Sequence, residues 1–175
     1  MKKILLLFIA FLFTTSTNFG QFEAGKSYAG PAVGLSFLGS TLSFGASYEY
    51  GMSVKEIGLD APGVLGIGGI VRYWSYDEGF FSYSDLLIAA QGNYHFVLDN
   101  KKIDPYLGLV LGYDVGSFDW DGPYGSLYDD SYGGFVFGAQ FGCRYWISPT
   151  MAVNARLGTG SNSGSTLDVG VDFKF

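Results

Sequence analysis

The 175-residue chain has one cysteine, one histidine and five prolines, and only 15% of it is charged. Cys143 alone cannot make an internal disulfide, so an exported protein of this size must be held by its own architecture. Ten Lys and Arg face sixteen Asp and Glu, a net charge of -6 that argues against nucleic acid as a partner. Long apolar runs are also missing. The longest, Ile4 to Phe13, falls well short of the roughly 20 residues a spanning helix needs, and no amphipathic helix of more than a few turns is visible. Because that run follows Met1, Lys2 and Lys3 and precedes small polar residues up to Gly20, it has the order of a secretory signal peptide. Residues 1–20 are therefore expected to be a cleaved leader and 21–175 one domain. Losing Lys2 and Lys3 leaves eight basic residues against sixteen acidic, a net charge of -8.

What the chain has instead is 27 Gly, 16 Phe and 13 Tyr. Disordered chains are poor in aromatics, so the glycines belong to a packed structure. In GGFVFGAQFGCRYWI, Gly133 to Ile147, one parity reads Phe135, Phe137, Ala139, Phe141, Cys143, Tyr145, Ile147 and the other Gly134, Val136, Gly138, Gln140, Gly142, Arg144, Trp146. Period two is the signature of a strand. Eight segments repeat it: Ala32 to Leu38, Thr41 to Gly51, Val64 to Tyr76, Asp85 to Val97, Tyr106 to Gly116, Gly134 to Ile147, Thr150 to Gly158 and Thr166 to Phe175. The bulkier parity carries no charge in any of them. The other carries all three arginines and His95, interspersed with glycine.

Two barrels could use this pattern: a soluble one with the apolar face inside, or a membrane one with that face in lipid. Eight strands enclose an interior just wide enough for side chains to fill; Phe, Tyr and Leu would overfill it, whereas glycine beside a few long polar chains fits. A water-facing surface so poor in Lys and Glu would also be poorly soluble. The expectation is an all-β, eight-stranded antiparallel up-and-down transmembrane β-barrel, with glycine making room for arginine inside. Tyr48, Tyr50, Tyr73, Tyr94, Phe96, Tyr113, Tyr145, Phe173 and Phe175 lie towards strand ends, as interfacial girdles do. Arg-Tyr-Trp occurs at Arg72 to Trp74 and Arg144 to Trp146, on strands of opposite direction, so the copies should sit at opposite rims with Arg and Trp inward. The connections after the second, fourth and sixth segments (Ser53 to Gly63, Asp99 to Asp104, Ser148 with Pro149) are expected on the periplasmic side, where such barrels keep short turns. Gly39 to Ser40, Asp77 to Ser84, Ser117 to Gly133 and Thr159 to Ser165 belong outside. Ser53 to Gly63 is long for a turn, and Ile57 to Leu59 are candidates for a strand.

At this point the chain resembles the small outer-membrane barrels of the OmpA and OmpX type, over essentially all of residues 21–175. The closing LDVGVDFKF is similar to the assembly signal of that superfamily, with Val169, Val171, Phe173 and Phe175 at the matching positions. The resemblance implies the outer membrane of a Gram-negative envelope, contact with outer-membrane lipid and lipopolysaccharide, and recognition by the barrel-assembly machinery. It is unspecific for activity, since the superfamily has structural, adhesive, channel-like and enzymatic members. No peptidoglycan-binding domain is expected after Phe175.

Inside, Glu49, Asp114, Asp168 and Asp172 balance Arg72, Arg144, Arg156 and Lys174, which points to ion pairs across a largely plugged lumen; Arg156 with Asp168 is the first pair to name. His95 is the residue to test for catalysis, but nearby sequence offers no nucleophile on its strand face except the more distant Ser47 or Asp172. The outer loops combine Asp119, Trp120, Asp121, Asp129 and Asp130 with tyrosines. Asp119 and Asp121 offer calcium ligands, and the aromatics a grip on a glycan or an extracellular protein, against the plainer reading of a hydrated acidic loop. No cofactor, resident metal or enzymatic activity is expected. A structural or surface-interaction role leads. A low-conductance channel is the alternative, followed by an outer-leaflet lipid-modifying enzyme and a soluble ligand-binding barrel.

Overall fold

The computed structural model describes residues 21–37, 41–120, 130–161 and 165–175. The expected leader, 1–20, and the loop residues Asp121 and Asp129 lie outside the described residues. Eight strands form one closed, all-antiparallel barrel: β1 Ser27–Ser36, β2 Thr41–Ser53, β3 Val64–Glu78, β4 Phe81–His95, β5 Ile103–Trp120, β6 Asp130–Ser148, β7 Met151–Gly160 and β8 Thr166–Lys174. Each strand pairs with its neighbours in sequence, and β8 closes on β1 with Val33 opposite Val169 and Ala29 opposite Phe173. Closure leaves no sheet edge along the shared span.

The two parities separate as read. The outer surface is a continuous apolar band; Leu109 is 70% exposed and Phe135 76%. Inside are buried arginines, carboxylates, amides and His95. A soluble barrel would have these faces reversed. Trp74 and Trp146 are both buried, one near each end, and Tyr73 points out. Glycine gives neighbouring strands and side chains their close approach on the inner face. A Cβ on Gly68 would fall 1.8 Å from the Tyr48 carbonyl oxygen, and one on Gly142 would fall 2.2 Å from the Tyr106 ring. The room goes to Glu49 and His95 at Gly66, Asp168 at Gly34 and Asn93 at Gly108 rather than to the arginines.

Several boundaries move. β1 starts at Ser27 rather than Ala32, and β5 at Ile103, three residues before Tyr106. Pro105 is accommodated because β4 pairing ends with His95 opposite Tyr106, and the Pro105 carbonyl takes the Phe96 N–H at 3.0 Å. Asp104 is consequently a strand residue pointing inward instead of a turn residue. Val54–Ile57 form a single 3-10 turn closed by Gly58 at φ 80, so Ile57 to Leu59 are not a strand.

The largest difference is at the end opposite the termini. Asp77 to Ser84, expected as a loop, is mostly strand: Glu78 pairs with Phe81 across a two-residue turn opened by Gly79 at φ 64. β5 and β6 likewise continue to Phe118 opposite Asp130. The last β6–β7 pair is Gly138 with Gly160, and the last β2–β3 pair Ser43 with Trp74. Strands β3 to β6 therefore rise as a four-stranded wall above a lower rim made by β7, β8, β1 and β2.

Candidate functional site

The interior is layered. Nearest the wall, one oxygen of Asp168 on β8 accepts from Arg72 on β3 at 2.6 Å and from Arg156 on β7 at 2.9 and 3.1 Å. Thr166 adds its hydroxyl at 3.3 Å. Arg156 and Asp168 face each other in the β7–β8 register, and Arg72 completes the group from across the barrel. Asp85 and Asp114 are buried on the inward face of β4 and β5 near this layer. Below it an apolar belt of Leu87, Ala89, Val110 and Val136 crosses the lumen. Next come three amides: Gln140 donates to Gln91 at 2.9 Å and to Asn93 at 2.6 Å, and Asn93 donates to Glu49 at 2.5 Å.

The end that carries the termini is a denser network centred on Arg144, which is fully buried. Its guanidinium pairs with Glu49 on the opposite strand β2, donates from Nε to Asp172 at 2.5 Å, and comes within 3.8 Å of Asp104. Asn154 donates to Asp172 at 3.0 Å and accepts from the Tyr106 hydroxyl at 3.0 Å. His95 has Nδ1 on Asp104 at 2.9 Å and Nε2 3.5 Å from Glu49. Phe22, from the segment before β1, lies flat on the His95 ring at 3.6 Å between centroids and stacks on Tyr28 at 4.1 Å. The Arg144 guanidinium carbon is 5.1 Å from the Phe22 centroid. Such a network is tolerable away from water only because the charges are paired and most of their hydrogen bonds made.

Seven of the eight interior charges read from the sequence thus lie inside, and the Arg156–Asp168 pair is present. Lys174 is the exception. It is half-buried at the terminal rim, bonded to Glu23 at 3.1 Å and over the Trp146 ring. Asp104, Asp85 and the Phe22 plate were missed; only unbroken parity through Pro105 would have found Asp104, and no periodicity marks Phe22. His95 has carboxylates at both ring nitrogens. The outer acidic cluster does not assemble among the described residues. Asp119 faces outward from the wall, whereas Trp120 and Asp130 face inward, because adjacent strand residues point to opposite sides. Among the described residues no group of three or more His, Cys, Asp or Glu is placed to hold a metal. Val169, Phe173 and Phe175 are exposed on the apolar band and Val171 is half-buried there. Cys143 is half-buried on the same band.

No protein-family model matches the chain, and no curated relative does. Among solved structures it is similar to the N-terminal β-barrel domain of Pseudomonas aeruginosa OprF, at 14% identity over 87% of this chain and 98% of that one, with a TM-score of 0.58. It is equally similar to Ail, the attachment invasion locus protein of Yersinia pestis, in complex with the heparin analogue sucrose octasulfate, at 14% identity, 87% and 100% coverage and a TM-score of 0.58. Neisserial surface protein A follows at 21% identity, 86% and 95% coverage and 0.53. At these identities the likeness is one of fold. Together with a closed eight-strand meander, apolar outside and charged within, it gives the chain the fold of the small outer-membrane barrels of the OmpA and OmpX type.

Proposed function

We propose that the protein is an integral outer-membrane barrel, exported through a cleaved leader, with an interior closed to solutes and a structural or surface-interaction role. The carrying observation is the Arg144 network, with Glu49 drawn onto it from the opposite strand β2, Asp172 from β8, and Phe22 laid across the end. Further up, a cavity of about 10 Å³ among Arg72, Leu87, Val110, Val136 and Gln140 has room for about one water. Against an enzymatic role stands the burial of His95 beneath Phe22.

Two measurements test this. In the outer-membrane fraction, unboiled protein should migrate differently from boiled protein, since a closed barrel resists detergent until heated; soluble protein without a shift would overturn the membrane reading. Purified barrel should then be silent in planar bilayers. Stepwise conductance that changes on Arg72→Glu or Arg144→Glu would replace the closed-lumen reading with a low-conductance channel.

A further inference from the structure

The wall of β3 to β6 keeps its period of two as it rises past the rim, but the two faces exchange character. On the lipid side, Tyr73, Leu86, Val115 and Phe135 give way to a rung of Ser75, Ser84, Ser117 and Ser131, in register across all four strands. On the inward side, Arg72 and the carboxylates give way to Tyr76, Phe81, Tyr83, Phe118, Trp120 and Tyr132. Four of these rings touch one another: the Phe81 centroid lies 4.4 Å from that of Trp120 and 5.5 Å from that of Phe118, and Tyr83 lies 5.1 Å from Phe118. Tyr132 leans over Gly116, where a Cβ would come within 2.1 Å of its ring.

Serine on the outer face is what a strand that has left the bilayer requires. Aromatics on the inner face are not, because among the described residues the lower rim leaves that face beside water; Phe81 is 37% exposed and Tyr132 44%. Its charge is of one sign. Glu78 and Asp130 stand on the aromatic side, and from Tyr73 to Tyr94 and from Ile103 to Cys143 the sequence has no Lys, Arg or His. The Glu78 carboxylate pushes the Tyr76 hydroxyl above its ordinary pKa, and burial, then Asp85 and Asp114, do so for Tyr132. Ring faces and carboxylates together attract cations, and Arg or Lys stems cover apolar surface while their heads remain polar. An anionic glycan would be repelled; a neutral one would use the rings and ignore the charge.

We infer that the aromatic inner face of the β3–β6 wall binds a basic polypeptide segment of an extracellular partner, Arg or Lys heads lying over Phe81, Phe118 and Trp120 and paired with Glu78 and Asp130. This rests on the surface-interaction reading above. The test uses the full barrel in zwitterionic micelles, checked by its heat shift, and a fluorescein-labelled peptide of alternating Arg and Ser read by anisotropy. Saturable binding that weakens with salt and falls at least tenfold in Phe81→Ala with Phe118→Ala, heat shift retained, is the expected result. Undiminished binding by that variant, with loss in Glu78→Gln with Asp130→Asn, would reduce the effect to rim charge and overturn the aromatic site. So would no saturable binding by a heat-shifting barrel, or saturable binding of maltoheptaose in place of the peptide. A wild-type chain with no heat shift would instead sink the barrel reading itself.

Discussion

At the scale of single residues, Arg144 holds the terminal end together, because three carboxylates surround it and none has water to turn to. Arg144→Met keeps the apolar volume and removes the charge, leaving Glu49 and Asp172 buried without their partner. The loss should be about 3–5 kcal/mol, read as a lower urea midpoint in vesicles, and adding Glu49→Gln should recover part of it. Glycines make a second comparison. Gly142→Ala must displace the Tyr106 ring and should cost about 1–3 kcal/mol, whereas Gly92, with nothing within 4 Å of its would-be Cβ, should accept Ala within about 0.5 kcal/mol. Parity told which glycines face inward, Gly142 among them. It could not tell that the vacated space belongs to Tyr106, Glu49, Asp168 and Asn93, since that depends on which strands lie across from one another.

For whole strands, alternation is legible wherever one side meets lipid, which is why the middle of every strand is evident in the sequence. Two kinds of segment escape. In Ser27–Pro31 the outward residues, Ala29 and Pro31, are too small for the period to stand out, although Tyr28 already points inward. In Asp77–Ser84 the period persists, but inside and outside trade polarity, so a search for one apolar face sees a loop. The closing strand carries its own prediction. Phe173 and Phe175 point away from the interior, and the Phe175 N–H donates to the Ser27 carbonyl through its backbone at 2.9 Å, a bond that survives truncation of the side chain. Phe175→Ala should therefore leave the stability of refolded barrel within about 0.5 kcal/mol while lowering the heat-resistant fraction in cells several-fold. An equal drop in both would make Phe175 a packing residue and not an assembly signal.

Over the whole molecule, strand number, strand order and the inward and outward faces follow from eight periodic segments. The floor does not, because Phe22 belongs to no periodic segment and its partners His95, Tyr28 and Arg144 come from three separate strands. Removing this plate tests how the cylinder is closed. Phe22→Ala should keep the heat shift yet pass small ions across a planar bilayer at a resolvable rate, with the parent barrel silent under the same voltage. A variant as silent as the parent would assign closure to the Arg144 network alone.

Phe22 also sets an order in time. The plate precedes β1, and β1 has no second neighbour until β8, made last, arrives beside it. If Phe22 docks only where His95 and Arg144 are already held side by side by β4 and β6, the ring of strands closes first and the floor second. Followed during refolding into vesicles, detergent resistance should appear first, and the environment of Trp146, packed edge-on against Tyr28 at 5.9 Å, should settle afterwards. For that interval the molecule is a tube whose bottom is still open.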